Sequence, residues 1–286
     1  MNLPPRRKVK LAVAIPASLT VDIPHLRDKT LKVGFIGRAF AIFRVDEIVI
    51  YMDRKETKVR REANFIISIL KYMDTPQYLR RRLFKIKPEL KFVGVLPPLR
   101  TPHHPLRNKI EQIEIGEFRE GIVVSTTKEG SLIDIGVEKP LLLPERKLKV
   151  GSRITVKVKC LKPKALLELV DKNEVPWYWG YKVKFTSNFK NLSGDFDLII
   201  ATSKYGVQIS EVLEDIKRKW VKSRNVLIVF GSPEEGLYDI ALRHGIELDN
   251  WADFVVNTIP CQGTETVRTE EAIYATLSIV NLFIRD

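Results

Sequence analysis

The apolar positions of this chain change period repeatedly. Lys10–Ile15 is a nearly continuous apolar run stopped by Pro16, which predicts a buried strand. Asp22 predicts a helix cap, and Leu26–Phe43 carries Val33, Ile36, Phe40 and Phe43 at helical spacing. Val45–Met52 returns to a strand pattern. Thr57–Met73 then sets Phe65, Ile66, Ile69, Leu70 and Met73 on one helical side. Strand, helix, strand, helix predicts an α/β domain with a parallel sheet.

From Lys91 to Leu169 the pattern breaks into short strands and turns: Glu117–Ser125, Ser131–Val137, Pro140–Leu143 and Arg153–Leu161, with a turn at Glu129-Gly130. About five short strands in so small a span predict a small barrel, most readily of OB type. The proline-rich stretch Val95–Pro105 reads as an ordered connection. After Pro176 alternation resumes. Strands are expected at Leu198–Ala201, Val226–Phe230 and Phe254–Asn257, and helices at Ile209–Trp220, Tyr238–His244 and Thr269–Phe283. The expected division is 1–90 for the first part of the α/β domain, 91–169 for an inserted barrel and 170–286 for the remainder, because a surface loop tolerates an inserted module.

The 286 residues suffice for one large or two modest cores. No apolar run nears the roughly 18 residues of a membrane span, and the basic N-terminus lacks a signal-peptide core. Two distant cysteines, Cys160 and Cys261, make no disulfide framework, so a reduced, cytoplasmic setting is expected. The net charge of +13 is unevenly spread. Arg54–Lys91 holds twelve Lys/Arg against four Asp/Glu, Glu145–Lys164 eight against one, and Asp195–Asp286 nine against fifteen. A basic region beside a mildly acidic one is the footprint of a polyanion partner, with a solvated lysine-rich face as the plain alternative.

Two loops carry candidate chemistry. Leu227–Gly236 is an apolar strand ending in Gly231, Pro233 and Gly236. Asn257–Ala272 is a polar loop with Pro260 and Gly263 that feeds an apolar helix. Loops of this kind on a rigid scaffold concentrate binding groups, and the pair predicts a shared small-molecule pocket. Gly231, Gly236 and Gly263 are expected to allow close backbone approach or φ > 0. Four histidines and two scattered cysteines make no metal set.

Gly34-Phe-Ile-Gly-Arg-Ala-Phe-Ala-Ile-Phe-Arg-Val-Asp-Glu-Ile-Val-Ile50 resembles the first motif of the SPOUT methyltransferases. Phe230-Gly-Ser-Pro-Glu-Glu-Gly236 resembles the second. Asn257–Gly263 with Thr266–Ala272 resembles the third, and all three stand in the family's order. The match is closest to the branch of archaeal proteins and eukaryotic relatives with an inserted OB-like barrel, which shares the Leu96–His104 stretch Leu-Pro-Pro-Leu-x-Thr-Pro-His-His. The resemblance covers nearly the whole chain.

That resemblance implies a trefoil-knotted, homodimeric fold that binds S-adenosylmethionine in a bent shape and methylates RNA, with uridine N3 of ribosomal RNA favoured. A non-catalytic assembly factor and a 2′-O-ribose methyltransferase are the alternatives. The cofactor residues it implies are Thr202 and Ser203; Phe230, Gly231, Ser232, Glu235 and Gly236; Asn257, Thr258, Ile259, Pro260, Gln262, Gly263 and Thr264; and Val267, Thr269 and Ala272. Ile228, Phe230, Ile259 and Val267 would form the apolar adenine slot. Arg38 is the candidate for stabilising a uridine anion or orienting a phosphate, with an ion pair to Asp46 or Glu47 as its plain alternative. Glu271 is the candidate base, beside Glu235 and Glu270. The first turn of a helix, however, favours carboxylates in any case. Arg60, Arg61, Arg80, Arg81, Arg82, His103 and His104 are the expected RNA contacts.

Overall fold

The computed structural model describes residues 3–283. Its elements in chain order are β1 (Lys10–Pro16), α1 (Leu26–Ile42), β2 (Glu47–Tyr51), α2 (Thr57–Asp74), α3 (Gln77–Leu83), β3 (Phe118–Thr126), β4 (Gly130–Asp134), β5 (Leu141–Pro144), β6 (Arg153–Cys160), β7 (Leu166–Val170), β8 (Lys182–Thr186), β9 (Leu198–Gln208), α4 (Ile209–Lys222), β10 (Asn225–Val229), α5 (Leu237–Arg243), α6 (Leu248–Trp251), β11 (Phe254–Asn257) and α7 (Thr269–Phe283). They form two compact units. One takes Arg7–Lys71, Pro88–Pro98 and the chain from Tyr181 onward; the other takes Tyr72–Lys87, Leu99–Gly180 and the residues up to Arg6.

The first unit is built on a six-stranded sheet in the order β11-β9-β10-β1-β2-β8. Every pairing in it is parallel. β1 lies inside the sheet and is buried on both faces, which is why it reads as a continuous apolar run. One face packs Ala12, Ala14, Val49, Tyr51, Leu227 and Val229 against Phe189, Leu237 and Ile240. α7 lies against α1: Tyr274 donates its hydroxyl to the Phe35 carbonyl at 2.9 Å, and Lys32 pairs with Glu270 at 3.1 Å.

Gly34, on α1, is the seat of the Leu96–Pro98 segment. A Cβ there would stand 2.8 Å from Leu96 Cδ2 and 3.0 Å from the Pro97 ring. We expect Gly34→Val to overpack this contact and cost about 1–3 kcal/mol, read as a lower urea midpoint at unchanged m-value.

The other unit centres on a closed five-stranded barrel, β3-β4-β5-β7-β6. Val123, Ile133, Leu141, Leu143, Val156, Val158 and Leu167 fill it. Beside the barrel core lies a buried polar cluster. Glu120 accepts from Arg153 Nε at 2.6 Å, Trp179 Nε1 at 2.6 Å and Thr155 Oγ1 at 2.9 Å. Arg153 also pairs with Asp74 at 3.1 Å. The Asp74 carbonyl accepts from His103 Nε2 at 2.8 Å and lies 3.1 Å from His104 Nε2. Gly180, at φ +75°, closes the cluster: a Cβ would fall 2.2 Å from Asp74 Oδ1 and 2.4 Å from His103 Cε1.

This cluster should make the unit sensitive to acid. Burial would raise the Asp74 carboxyl, but the charges of Lys172, Arg153 and His103 together hold it well below the ordinary range. Burial and the neighbouring His103 push His104 down to about 3 from 6.5. Both groups bind protons less readily folded than unfolded, so their stabilising effect is complete above about pH 6.5 and is lost as pH falls, first through His104 and then through Asp74. Urea midpoints measured between pH 8 and pH 4 should fall with acid, and His104→Phe should flatten the upper part of that slope.

Several expectations need correction. α1 starts after His25, whose extended backbone provides no side-chain cap, so Asp22 does not cap it. β8 and α3 were not expected, and β9 runs to Gln208 rather than stopping at Ala201. His103, expected at an RNA surface, is 0% exposed and spent on Asp74. Arg80 is turned inward on the Thr75 and Met73 carbonyls at 2.9 and 3.4 Å. Arg61, Arg81 and Arg82 are exposed, and Arg82 pairs with Asp134 at 2.8 Å. Arg60 is also exposed, with its guanidinium 4.0 Å from the Phe185 ring centroid.

Candidate functional site

In an open parallel sheet, the space outside the carboxyl ends of the strands is where ligands are received. Here the ends of β9, β10 and β11 and the start of α7 enclose a cavity of about 590 Å³, within the range of small-molecule sites.

Each wall is held by its own hydrogen bonds. At the end of β10, Phe230 accepts the Tyr51 hydroxyl at 2.6 Å and donates its N–H to Ala14 at 3.0 Å. The following turn closes as Ser232 N–H donates to the Glu235 carbonyl at 2.9 Å and Glu235 N–H to Ser232 Oγ at 2.9 Å. After β11, Asn257 Oδ1 accepts the Ile259 N–H at 2.9 Å, and its amide donates to the Lys204 carbonyl at 3.1 Å. Asn257 therefore fixes two loops at once. Thr269 Oγ1 donates to the Gly231 carbonyl at 3.2 Å and ties the start of α7 to the β10 loop. Thr258 and Thr276 share a buried hydroxyl contact of 2.9 Å.

The cavity brings together Thr202, Ser203, Phe230, Gly231, Ser232, Glu235, Gly236, Asn257, Thr258, Ile259, Gln262, Val267, Thr269 and Ala272. Pro260, Gly263 and Thr264 are not among its lining residues and are exposed. Ile228, assigned to the adenine slot, is buried inside the sheet and does not line it. Gly231, Gly236 and Gly263 do not take positive φ. The left-handed residue of this region is Cys261, at φ 55°.

The electrostatics separate the carboxylates. Glu235 is ion-paired with Arg243, which holds its carboxyl below the ordinary range and leaves it a poor proton acceptor. Its Oε2 is buried without a hydrogen-bond partner. Glu234 pairs with Arg54 at 2.8 Å. Glu270 is engaged by Lys32. Glu271 accepts the Arg268 N–H at 2.9 Å, which starts α7, and it does not line the cavity. Its observed role is that of a helix-start carboxylate. Arg38 also stands outside the cavity lining and donates to the Pro98 carbonyl. The ion pair with Asp46 or Glu47 is not made: Asp46 accepts the Leu11 N–H at 3.1 Å, and Glu47 pairs with Lys184 at 2.9 Å.

Sequence reasoning missed Lys204, Tyr205, Leu237, Tyr238, Asp239, Val256 and Thr266, all of which line the cavity. Lys204 and Tyr205 were hidden because β9 was cut short at Ala201.

The residues present suit a small ligand that carries both a flat apolar ring and positive charge. Phe230, Leu237, Val256, Ile259 and Val267 give apolar walls, and Asp239 gives a carboxylate beside Glu234 and Glu235, which are already paired with Arg54 and Arg243. Among the described residues, no group of three His, Cys, Asp or Glu is placed to hold a metal ion, and no helix is long and apolar enough to cross a membrane.

A parallel α/β sheet with this loop-built cavity at its carboxyl edge is an architecture consistent with a methyltransferase. Comparison with known proteins narrows the class. A family described as "putative RNA methyltransferase" matches residues 10–280. The chain is 31% identical over 310 residues to the human 28S rRNA (uridine-N(3))-methyltransferase, covering 95% of this chain and 78% of the human one. The mouse enzyme of the same name is 31% identical over 304 residues, covering 95% of this chain and 76% of the mouse one. An uncharacterised protein of Halobacterium salinarum is 32% identical over 291 residues, covering 95% of this chain and 98% of that one. The chain belongs to this RNA methyltransferase family and is an enzyme of the transferase class.

Proposed function

We propose that the protein transfers a methyl group from S-adenosylmethionine to N3 of a uridine in large-subunit ribosomal RNA. The observation that carries this reading is the three-loop cavity of about 590 Å³ in a chain whose human and mouse relatives are named for that reaction. The donor's sulfonium makes the methyl group transferable without further activation. Phe230, Ile259 and Val267 would hold its adenine, and the Asp239 carboxylate would favour its positive charge. The protein's main contribution is then alignment of donor and nucleophile.

Arg38 has the role of orienting an RNA phosphate or the uridine anion, from α1 rather than from within the cavity lining. The base is unassigned, since Glu235 is held ionised by Arg243 and Glu271 is spent on α7. That observation favours a second reading, a donor-binding RNA assembly factor that does not methylate.

The order β3-β4-β5-β7-β6, with β5 and β7 parallel, supports an OB-like barrel. We assign that unit, with exposed Arg81, Lys128, Lys147 and Lys149, to RNA binding. The return of the chain from β11 at the sheet edge to α7 against α1 supports a trefoil knot. Phe35 and Ile42, each 53% exposed on α1, support a homodimer through the α1–α7 face.

Radiolabelled methyl transfer to unmodified ribosomal RNA, followed by nucleoside mass spectrometry, tests the reaction. N3-methyluridine is the expected product. A ribose-methylated product would move the target atom, and donor binding without any transfer would establish the assembly-factor reading.

A further inference from the structure

β9 and β11 run side by side in parallel, but not in step. Ile200 and Ala201 lie opposite Phe254 and Val255, and the next partners are Val207 and Gln208 opposite Val256 and Asn257. Residues 202–206 are thus looped out of the ladder while β11 advances by a single residue. A bulge re-aims side chains, and bulges concentrate beside active sites.

This bulge is built rather than slack. Thr202 Oγ1 donates to the Val229 carbonyl at 2.9 Å, and Tyr205 N–H donates to Ser203 Oγ at 3.2 Å. The Lys204 carbonyl is held by Asn257. Gly206 lies so close to β11 that a Cβ would meet the Val255 and Val256 backbone at 2.7 Å. The outcome of all this anchoring is that Tyr205 lines the cavity while remaining 74% exposed, with the Lys204 ammonium 5.1 Å from its ring centroid. Folding gains little from an aromatic ring left in water. A flat π face and a cation held together at the mouth of a cavity suit a nucleotide, which brings a ring to stack and a phosphate to neutralise.

We propose that Tyr205 is the stacking platform for the RNA base presented to the methyl donor, with Lys204 as its charge partner. The inference rests on the methyltransferase reading above and adds the residue that receives the substrate. A base on which chemistry is done must leave its own stack, and an aromatic side chain at the site compensates for the stacking it loses.

The test compares wild type, Tyr205→Leu and Tyr205→Phe in methyl transfer to an unmodified large-subunit ribosomal RNA transcript, with donor affinity measured in parallel by calorimetry. Leucine keeps bulk and apolarity but removes the π face. We expect kcat/KM for RNA to fall about 10- to 100-fold in Tyr205→Leu, while Tyr205→Phe stays within about threefold. The thermal midpoint should be unchanged in both variants, as the side chain is exposed, and donor affinity should change far less than kcat/KM because Tyr205 lies at the cavity mouth. Wild-type kcat/KM in Tyr205→Leu overturns the proposal. A parallel loss of donor affinity also overturns it and makes Tyr205 a cover for the donor instead. An inactive wild type that still binds donor removes the methyltransferase reading, and the inference falls with it.

Discussion

Replacing Gly231 with valine is expected to lower affinity for the proposed donor, S-adenosylmethionine, by about 100-fold, equivalent to about 3 kcal/mol, while the protein stays folded. A Cβ at this position already sits 3.1 Å from the Glu235 carbonyl oxygen and 3.4 Å from Leu237 N. Valine adds two methyl groups beyond that point. They must either enter the cavity or push the Glu235 carbonyl away from the Ser232 N–H that it binds at 2.9 Å. Gly231 also accepts the Thr269 hydroxyl, so a shift there carries the start of α7 with it. The first outcome fills the cavity and the second moves two of its three walls, and either reduces the room for the donor. Calorimetric titration with the donor, beside a circular dichroism melt, checks the result. Unaltered affinity would mean that the donor does not lie against this loop.

Glu120→Ala is the substitution expected to harm stability most. It leaves Arg153 Nε and the Trp179 indole N–H without their acceptor in a buried place, with Asp74 as the remaining carboxylate on the Arg153 guanidinium. Removing one partner of a buried ion pair costs about 3–5 kcal/mol, most of it the cost of the charge left behind. For a unit of this size the thermal midpoint should drop by roughly 10 °C or more. Glu120→Gln keeps an acceptor for Trp179 and should lose clearly less. Arg153→Leu combined with Glu120→Ala should cost less than the two singles added, since the groups act on one network. A melt of Glu120→Ala within about 2 °C of wild type would show that water enters and rescues the cluster.

The alternation that places β1, α1, β2 and α2 was legible because these elements are long and buried on regular periods. β8, by contrast, is a short edge strand, Lys-Val-Lys-Phe-Thr, with lysine on both sides of its one valine. Nothing in that pattern separates it from a loop. α3 carries three consecutive arginines and buries only Leu79, so its one-turn apolar signal is lost. β9 was cut short because Thr202–Gly206 is polar and irregular, which is what a bulge looks like in sequence. The barrel's fifth strand was expected in number but not in position.

For the site, turn residues did the work: glycine and proline at 231, 233 and 236 and the polar run after Asn257 located two of the three walls. The third wall was only half seen, since Thr202 and Ser203 were named and Lys204 and Tyr205 were not. Histidine was misread for a different reason. His103 and His104 are polar residues in a proline-rich stretch, which suggests a surface, but the partner that buries His103 is Asp74, whose carbonyl only folding brings close. Glu271 was not separable by sequence, because a helix-start carboxylate and a catalytic one look alike there; the structure adds the hydrogen bond it accepts from the Arg268 N–H.

The parallel register of β1 carries a consequence for how the protein is made. Lys10 is paired with Asn225, and the cavity is walled by residues 202–272. As the chain leaves the ribosome, its first strand must therefore wait, apolar on both faces and without its β10 neighbour, until most of the protein has been synthesised. Non-local parallel pairing of this kind is slow and leaves sticky surface exposed meanwhile. The enzyme should accordingly depend on chaperones early and acquire its donor late, with the methyl donor acting as a final clasp on the newly completed fold.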